Sequence, residues 1–343
     1  MAVLTAFSGL GGKAPAAFLL QIAGRRILLD LGQGPAPGQR PDLAGIGRVD
    51  AIFLSHAHID HVGAIDLWPD LGRPPVFASR TTLDALPLLG LQLPVEAHCP
   101  LPPHGPARLL DMAVTVGRDG HALGGLWLHL PAEGGVLYMG DWSRESALLP
   151  LDPPPPAALV VTDLSYGGRD QPLAEQEQAL AAAIGPGTVL PVPILGRGAE
   201  MALRLAARGL SPVVCPQIRA EMQGAWPGLR CIAAPSEARD GDLVIAADTE
   251  RPGDLVARLV ADPRGWRFIL TGHVAPGSAA AGLVAAGRAC RLPWNVHPRA
   301  RDQLWLAETT GARHLVPAFG ALDAAPGLAR SLAALWRTDR TCP

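Results

Sequence analysis

The stretch Ser55-His56-Ala57-His58-Ile59-Asp60-His61 places four side chains that commonly bind metals within six residues. It follows directly on the apolar run Ala51-Ile52-Phe53-Leu54, which is typical of a buried strand. Imidazoles at positions i and i+2, as in His56 and His58, can bind one ion, while the adjacent Asp60 and His61 turn toward a second. A polar loop that is rich in histidine by chance is the weaker interpretation. We therefore predict a two-metal site after this strand.

One short loop cannot satisfy two ions, so ligands from distant parts of the chain are required. His121 lies between glycines in Gly120-His121-Ala122-Leu123-Gly124, and Asp141 follows a glycine at the end of the apolar run 136–139. A carboxylate at the position of Asp141 can bridge two ions. The expected ligands of the first ion are His56, His58 and His121; those of the second are Asp60, His61 and Asp141.

These motifs carry a family resemblance. The order His-x-His-x-Asp-His, then Gly-His121-Ala-Leu-Gly, then Gly-Asp141-Trp-Ser-Arg resembles the metallo-β-lactamase superfamily. The last two elements are most similar to its β-CASP branch, the nucleases that process RNA ends or repair DNA. The resemblance implies a hydrolase with one or two zinc ions, with manganese as an alternative metal.

Further segments extend this resemblance over nearly the whole chain. Asp30, after Arg26-Ile27-Leu28-Leu29, resembles the carboxylate that supports the metal loop from behind. Asp163, in Thr162-Asp163-Leu164-Ser165-Tyr166-Gly167, resembles an acidic motif whose carboxylate orients a histidine. His297, in Asn295-Val296-His297-Pro298, falls where the family has a histidine beside the scissile phosphate. We expect catalytic roles for Asp163 and His297, and for Asp60 as the base if a single ion binds.

The C-terminal region departs from the family pattern. Members that process RNA have a final histidine after a C-terminal strand, whereas this chain reads Leu315-Val316-Pro317-Ala318-Phe319-Gly320. His314 is a poor substitute, because it lies at the other end of this short strand. The second ion thus loses one family ligand. DNA-directed members of the branch also lack this histidine, so RNA and single-stranded DNA both remain candidate substrates.

The expected fold is α/β: a metallo-β-lactamase αββα sandwich with a small inserted α/β domain similar to the β-CASP domain. We predict that residues 1–168 and 292–343 form the sandwich and that residues 169–291 form the insert. The change at residue 169 is one from strand-rich sequence to alternating strands and helices, such as the predicted helices 173–184 and 199–208. The insert is short for a β-CASP domain, which leaves room for a smaller substrate.

The composition bears on the cellular location of the protein and on the substrates that it attracts. The chain has 343 residues, of which 48% are hydrophobic, and a formal net charge of −2. It has no apolar run long enough to cross a bilayer and no basic, apolar leader, so a cytoplasmic location without membrane contact is expected. The five cysteines are widely spaced and predict reduced thiols. The net charge gives no overall attraction to a polyanion, although nearly all cationic side chains are arginines, which suit contacts with phosphate.

The resemblance implies that a metal-bound hydroxide attacks phosphorus while His297 stabilises the phosphate or protonates the leaving oxygen. A nuclease acting on RNA or single-stranded DNA is the favoured function. The alternatives are a small-molecule hydrolase for a thioester, lactone or phosphodiester, and a scaffold subunit without activity. The sequence does not decide the oligomeric state; a homodimer is one alternative.

Overall fold

The computed structural model describes residues 2–36, 38–222, 224, 226–248 and 253–342. The chain forms two compact units. The first comprises Met1–Asp170 with Val296–Pro343, and the second comprises Gln171–Asn295. The unit boundaries lie within four residues of the predicted ones. The assignment of the second unit as a β-CASP-like domain stays a prediction.

Strands occur in both units. In chain order the strands are β1 Val3–Ser8, β2 Ala17–Ile22, β3 Arg25–Leu29, β4 Ala51–Phe53, β5 Val76–Ser79, β6 His98–Leu101, β7 Gly105–Leu109, β8 Met112–Arg118, β9 Leu126–Leu130, β10 Val136–Tyr138, β11 Leu159–Asp163, β12 Thr188–Val192, β13 Pro212–Val214, β14 Leu243–Ala247, β15 Arg267–Leu270, β16 Ala289–Arg291, β17 His314–Ala318 and β18 Thr341–Cys342.

Helices are short in both units. The α-helices are α1 Ile59–Val62, α2 Arg80–Ala85, α3 Leu173–Ala183, α4 Gly198–Ala207, α5 Pro216–Glu221, α6 Leu255–Ala261, α7 Ala279–Ala285, α8 Ala300–Thr310 and α9 Pro326–Ser331. Single 3-10 turns occupy Ile65–Leu71, Leu86–Leu89, Val95–Ala97, Ala132–Gly134, Pro235–Glu237 and Leu322–Ala324. Within the residues that the structure describes, every helix is too short or too polar to cross a bilayer.

Two mixed sheets form the first unit. The strand order is β18-β1-β2-β3-β4-β5-β6 in one sheet and β17-β11-β10-β9-β8-β7 in the other. Their facing sides share one apolar core, with Phe18, Leu20 and Phe53 from the first sheet and Leu128 and Val161 from the second. Helices cover the outer faces: Leu83 of α2 packs on the first sheet and Leu306 of α8 on the second. The first unit is therefore an α/β sandwich, as the sequence predicts.

The alternation of side chains explains this arrangement. In β2, Phe18 and Leu20 point into the core between the sheets, while Leu19 packs in the outer cluster under the helices. Successive side chains of a strand face opposite sides, so a strand that is apolar throughout can be buried on both faces. The apolar runs in this sequence therefore require helices outside and a second sheet inside.

The second unit has a parallel sheet of order β13-β14-β12-β15-β16. Parallel strands need helical connections, which α4 to α7 provide. The predicted helices 173–184 and 199–208 are confirmed as α3 and α4, with ends that differ by one residue. The sequence also predicts a helix at 81–89, and this prediction is wrong in its second half, since α2 ends at Ala85 and a 3-10 turn with Pro87 follows.

Candidate metal centre

The polar side chains of the site lie at the carboxyl ends of strands in both sheets of the first unit. Asp30 follows β3, and the histidine loop follows β4, which runs parallel to β3. In the other sheet Asp141 follows β10, Asp163 ends β11 and Phe319 follows β17, and these strands are parallel as well. Because parallel strands end at the same sheet edge, residues distant in sequence meet there.

Three imidazoles converge on one point. His58 Nδ1 lies 3.1 Å from His56 Nε2 and 3.0 Å from His121 Nε2. Burial lowers the pKa of His56 and of His121 well below the usual histidine value. For His56 the neighbouring imidazoles lower the pKa further. Neutral imidazole is the form that binds a metal. The group therefore has the atoms and the protonation state that a tetrahedral zinc site requires.

Asp141 connects this group to the other side of the site. Its carboxylate is buried, with Oδ1 3.3 Å from His61 Nε2 and Oδ2 3.7 Å from His121 Nε2 and 3.5 Å from His297 Nδ1. The sets His56-His61-Asp141 and His121-Asp141-His297 each bring ligand atoms within 4.8 Å of one another. Although burial raises the pKa of Asp141, the charges of His61 and Lys13 outweigh it and hold the pKa well below its usual value.

The fit to a metal ion rests on buried polar atoms. His61 Nε2 and Asp141 Oδ1 are buried without a hydrogen bond, although such atoms normally have a partner. A cation between them would satisfy both. The residues predicted as ligands fit a metal ion at the imidazole group and at Asp141; their role as ligands remains a proposal.

Asp30 holds the histidine loop in place. Its carboxylate is fully buried and accepts hydrogen bonds from Ser55 N at 2.6 Å, Ser55 Oγ at 2.7 Å and Tyr138 OH at 2.7 Å. His61 Nδ1 lies 2.7 Å from Asp30 Oδ2, so the ring presents Nε2 to Asp141. Asp30 adopts a left-handed backbone conformation with φ 60°, which Asp tolerates better than most residues.

His121 is fixed by two groups that sequence reasoning missed. Its Nδ1 donates to the carbonyl oxygen of Val296 at 2.6 Å, which leaves Nε2 to face His58. Asp119 Oδ1 accepts from the backbone N–H groups of His121 at 2.8 Å and Ala122 at 3.1 Å. Burial raises the pKa of Asp119 to about 8. An aspartate two residues before a histidine in a glycine turn is a usable sequence signal for Asp119, whereas a backbone carbonyl leaves none.

His297 and Asp163 form a dyad beside these ligands. His297 Nδ1 lies 2.7 Å from Asp163 Oδ2, and Asp163 Oδ1 accepts from the backbone of Ser165 at 2.7 Å. The Tyr166 ring stands edge-on to the imidazole at 4.8 Å, and its hydroxyl accepts from Val296 N at 3.0 Å. The structure therefore brings together the two residues that the resemblance paired only by role.

Asp60 lies apart from the ligand sets. Among the described residues, none of the three sets includes Asp60. Its Oδ2 instead forms an ion pair of 2.5 Å with Lys13 Nζ. Burial raises the pKa of Asp60, but the charges of Lys13 and His61 and the hydrogen bond from Lys13 together outweigh it, so the net pKa is lowered. Lys13 follows three glycines in the segment 9–13, a pattern typical of a simple turn, so the sequence did not indicate its place at the site.

Phe319 follows β17, the strand after which the sequence resemblance leads us to expect a histidine. The ring is buried and lies edge-on to His61, with ring centroids 5.0 Å apart. His314 pairs with Leu159 at the start of β17, whereas the end of the strand pairs with Asp163. His314 is thus at the wrong end of its strand to bind an ion with Asp141, in agreement with the prediction.

A cavity of about 590 Å³ opens near Tyr166. The Arg169 guanidinium stacks 4.2 Å from the centre of the Tyr166 ring, and Arg301 is paired with Asp170 at 2.7 Å. The remaining lining is largely apolar. It consists of Gly168, Ala300, Leu304, Ala324, Pro326, Gly327, Leu328 and Ser331.

Comparison with known proteins gives a family match and several relatives. Residues 10–188 match the family described as Metallo-beta-lactamase superfamily. Ribonuclease TTHA0252 of Thermus thermophilus is 37% identical over 178 residues, which cover 45% of this chain and 41% of that protein. Transcription termination factor FttA of Methanosarcina mazei is 25% identical over 286 residues, which cover 70% of this chain and 45% of that protein. The chain thus spans less than half the length of these relatives.

A third relative and a solved structure add to this picture. Ribonuclease Z of Bradyrhizobium diazoefficiens is 33% identical over 111 residues, or 32% of this chain and 28% of that protein. A crystal structure of a protein of unknown function from Enterococcus faecalis V583 aligns with a TM-score of 0.61 and 14% identity, covering 94% of this chain and 95% of that chain. At such low identity this likeness concerns the fold alone.

Proposed function

We propose that this chain, which belongs to the metallo-β-lactamase superfamily, is a metal-dependent hydrolase that cleaves phosphodiester bonds in RNA. The superfamily resemblance drawn from the sequence is confirmed, and the names of the relatives agree with its RNA-processing branch. The observation that carries the proposal is the His297-Asp163 dyad beside Asp141 and the imidazole group. Phosphodiester hydrolysis needs polarisation of the phosphoryl group, which a metal ion provides, and protonation of the leaving oxygen, which an adjacent proton donor provides.

His56, His58, His121 and Asp141 would hold the ion, with His61 on the far side of Asp141. Imidazoles with one carboxylate favour zinc, with manganese as the alternative. When bound, the ion supplies Lewis-acid polarisation of the phosphoryl group and lowers the pKa of water. Val296 and Ser55 keep His121 and His56 turned toward it, because they contact the Nδ1 atom of each ring.

His297 would transfer the proton. Its Nδ1 is held by Asp163, so Nε2 is the atom available to a leaving oxygen. Asp163 stabilises the positively charged imidazole and fixes the ring, as a carboxylate does for a catalytic histidine elsewhere. The edge of the Tyr166 ring restricts the imidazole from the side. No side chain needs to act as a covalent nucleophile.

The cavity beside Tyr166 offers a place for a nucleotide next to the scissile bond. Tyr166 contacts both His297 and the cavity, and Arg169 lies over its ring. Aromatic and guanidinium planes stack with unpaired bases, which favours single-stranded RNA over a duplex. A nucleic acid is thus the proposed partner. A cytoplasmic location and a homodimer stay predictions.

A small-molecule hydrolase is the second candidate, since a net charge of −2 provides no general attraction to a polyanion. The decisive experiment incubates the zinc-loaded protein with end-labelled single-stranded RNA and DNA of the same sequence. The Asp141→Asn variant serves as the inactive form, and His104→Ala, at an exposed histidine, as the matched control. RNA cleavage lost only in Asp141→Asn supports the proposal. Intact RNA and DNA with zinc bound would favour the small-molecule alternative.

A further inference from the structure

Lys13 occupies the side of the site that was predicted to bind a second ion. Its ammonium group is 2.5 Å from Asp60 Oδ2, and only about a quarter of the side chain is exposed. The same ammonium lies 5.7 Å from the centre of the Phe319 ring, within the range of a cation–π contact. Both residues next to Lys13 belong to the expected second metal site: Asp60 as a ligand and Phe319 as the replacement of one.

The backbone on both sides of Lys13 is held against these two neighbours. Before it, the carbonyl oxygen of Gly9 accepts from Phe319 N at 2.7 Å. After it, Ala16 N donates to the carbonyl oxygen of Asp60 at 2.9 Å. Gly32 permits this approach, since a Cβ at that position would lie 1.7 Å from the Asp60 oxygen. The position of the ammonium is therefore fixed by the fold as well as by its ion pair.

The two sides of the candidate metal centre therefore differ in the ligands that they offer to an ion. The imidazole group His56, His58 and His121 keeps a complete set of nitrogen ligands. On the other side, Asp60 is paired with an ammonium and an apolar ring replaces the final histidine. A divalent ion placed there would face a fixed positive charge and have fewer ligands than the first ion. An ammonium is a compact charge of the kind that can substitute for such an ion next to carboxylates.

We propose that the Lys13 ammonium takes the place of the second metal ion, so that the centre binds one ion and Lys13 provides the second positive charge beside the phosphate. The inference rests on the proposed function, which supplies both the metal site and the phosphate, whereas its test by metal content does not depend on the substrate. It replaces the two-ion interpretation of Asp60: this carboxylate holds Lys13 instead of a metal. Phe319 excludes a further ligand and packs against both Lys13 and His61.

Metal content tests this directly. The apoprotein is loaded with excess Zn²⁺, dialysed, and measured by inductively coupled plasma mass spectrometry, with calorimetric titration for the number of sites. We expect one zinc per chain for the unaltered protein and for Lys13→Arg, which keeps the charge. The double variant Lys13→Ala with Phe319→His removes the ammonium and restores an imidazole, and should bind two. Near-UV circular dichroism verifies that each variant is folded.

The outcomes separate the inference from the proposed function. Two ions in the unaltered protein would overturn the role of Lys13 while leaving a metal-dependent nuclease intact. One ion in the folded double variant would also overturn it, because Lys13 would then not be what excludes the second ion. Should the double variant fail to fold, Lys13→Ala alone must bind more than one zinc. No bound zinc in the unaltered protein would reject the metal site itself, and the proposed function with it.

Discussion

Two buried carboxylates, Asp141 in the first unit and Glu221 in the second, have pKa values shifted in opposite directions. In the first unit Asp141 is surrounded by His61, His297 and Lys13, and its pKa is held well below the usual value despite burial. In the second unit the Glu221 carboxylate accepts a hydrogen bond from the backbone N–H of Leu195 at 2.6 Å, and burial raises its pKa to about 7. Burial alone thus favours a neutral acid. Convergent cationic groups are what keep a buried carboxylate ionised, and they occur where the chemistry is proposed.

The largest expected effect comes from removing that ionised group. Asp141→Asn keeps the size of the side chain but removes the charge that His61, His121 and the proposed ion share. We expect RNA cleavage to fall by about a thousandfold, or about 4 kcal/mol of barrier, together with a loss of zinc affinity. Single-turnover cleavage and zinc titration measure the two effects. Full activity in this variant would mean that Asp141 does not serve the reaction.

The His297-Asp163 dyad provides a contrast with Asp141. The Asp163 carboxylate acts on the proton that His297 carries, whereas Asp141 acts on the proposed metal ion. His297→Ala should slow cleavage by about a hundredfold or more while zinc content stays the same. Asp163→Asn should have a smaller effect of the same kind, since the imidazole remains but loses the carboxylate 2.7 Å away. A loss of zinc in either variant would place these residues among the metal ligands.

Asp30 tests whether a buried carboxylate with several donors stabilises the first unit. Asn at this position tolerates the left-handed conformation, so Asp30→Asn changes the charge with little change in backbone strain. It weakens hydrogen bonds from Ser55, Tyr138 and His61. We expect the free energy of unfolding, measured in urea, to fall by about 3 kcal/mol. An unchanged unfolding midpoint would show that these bonds are dispensable.

Glu221 should respond in the opposite sense, because removing its charge is expected to stabilise the folded protein. Its folded pKa of about 7 exceeds the usual value of 4.5, so the folded state binds the proton more tightly. Stability of the second unit should therefore fall as the pH rises from about 4.5 to about 7, by up to about 3 kcal/mol. Glu221→Gln should remove this dependence and stabilise the protein at pH 8. Urea unfolding at pH 5 and pH 8 measures it, and equal pH dependence in both proteins would contradict it.

Much of the fold was readable from the sequence because apolar runs that are buried on both faces predict a covered sheet. The strands around Phe18, Phe53 and Leu128 follow from this pattern. Helix ends were less accurate: Pro87 ends α2 early by breaking the pattern of backbone hydrogen bonds. Short edge strands such as β16 and β18 carry little pattern of their own and depend on their neighbours.

The site was predictable where ligand type and spacing carry the information, as in His56, His58 and His121. It was not predictable where partners meet only through the fold. The pairing of Lys13 with Asp60 joins residues 47 positions apart, and the contact of His121 with a Val296 carbonyl has no side-chain signature. The assignment of Asp60 as a ligand of the second ion, or as the base if a single ion binds, stays a prediction, and its ion pair with Lys13 favours neither role.

Lys13 is also the only lysine in the sequence, which makes the site chemically addressable. Reagents that acylate or methylate amines have one side-chain target in these 343 residues, and it lies at the candidate metal centre. A single mass increment on the peptide that contains Lys13 would therefore report directly on access to the site. Its protection by bound RNA would map substrate occupancy without any label on the nucleic acid.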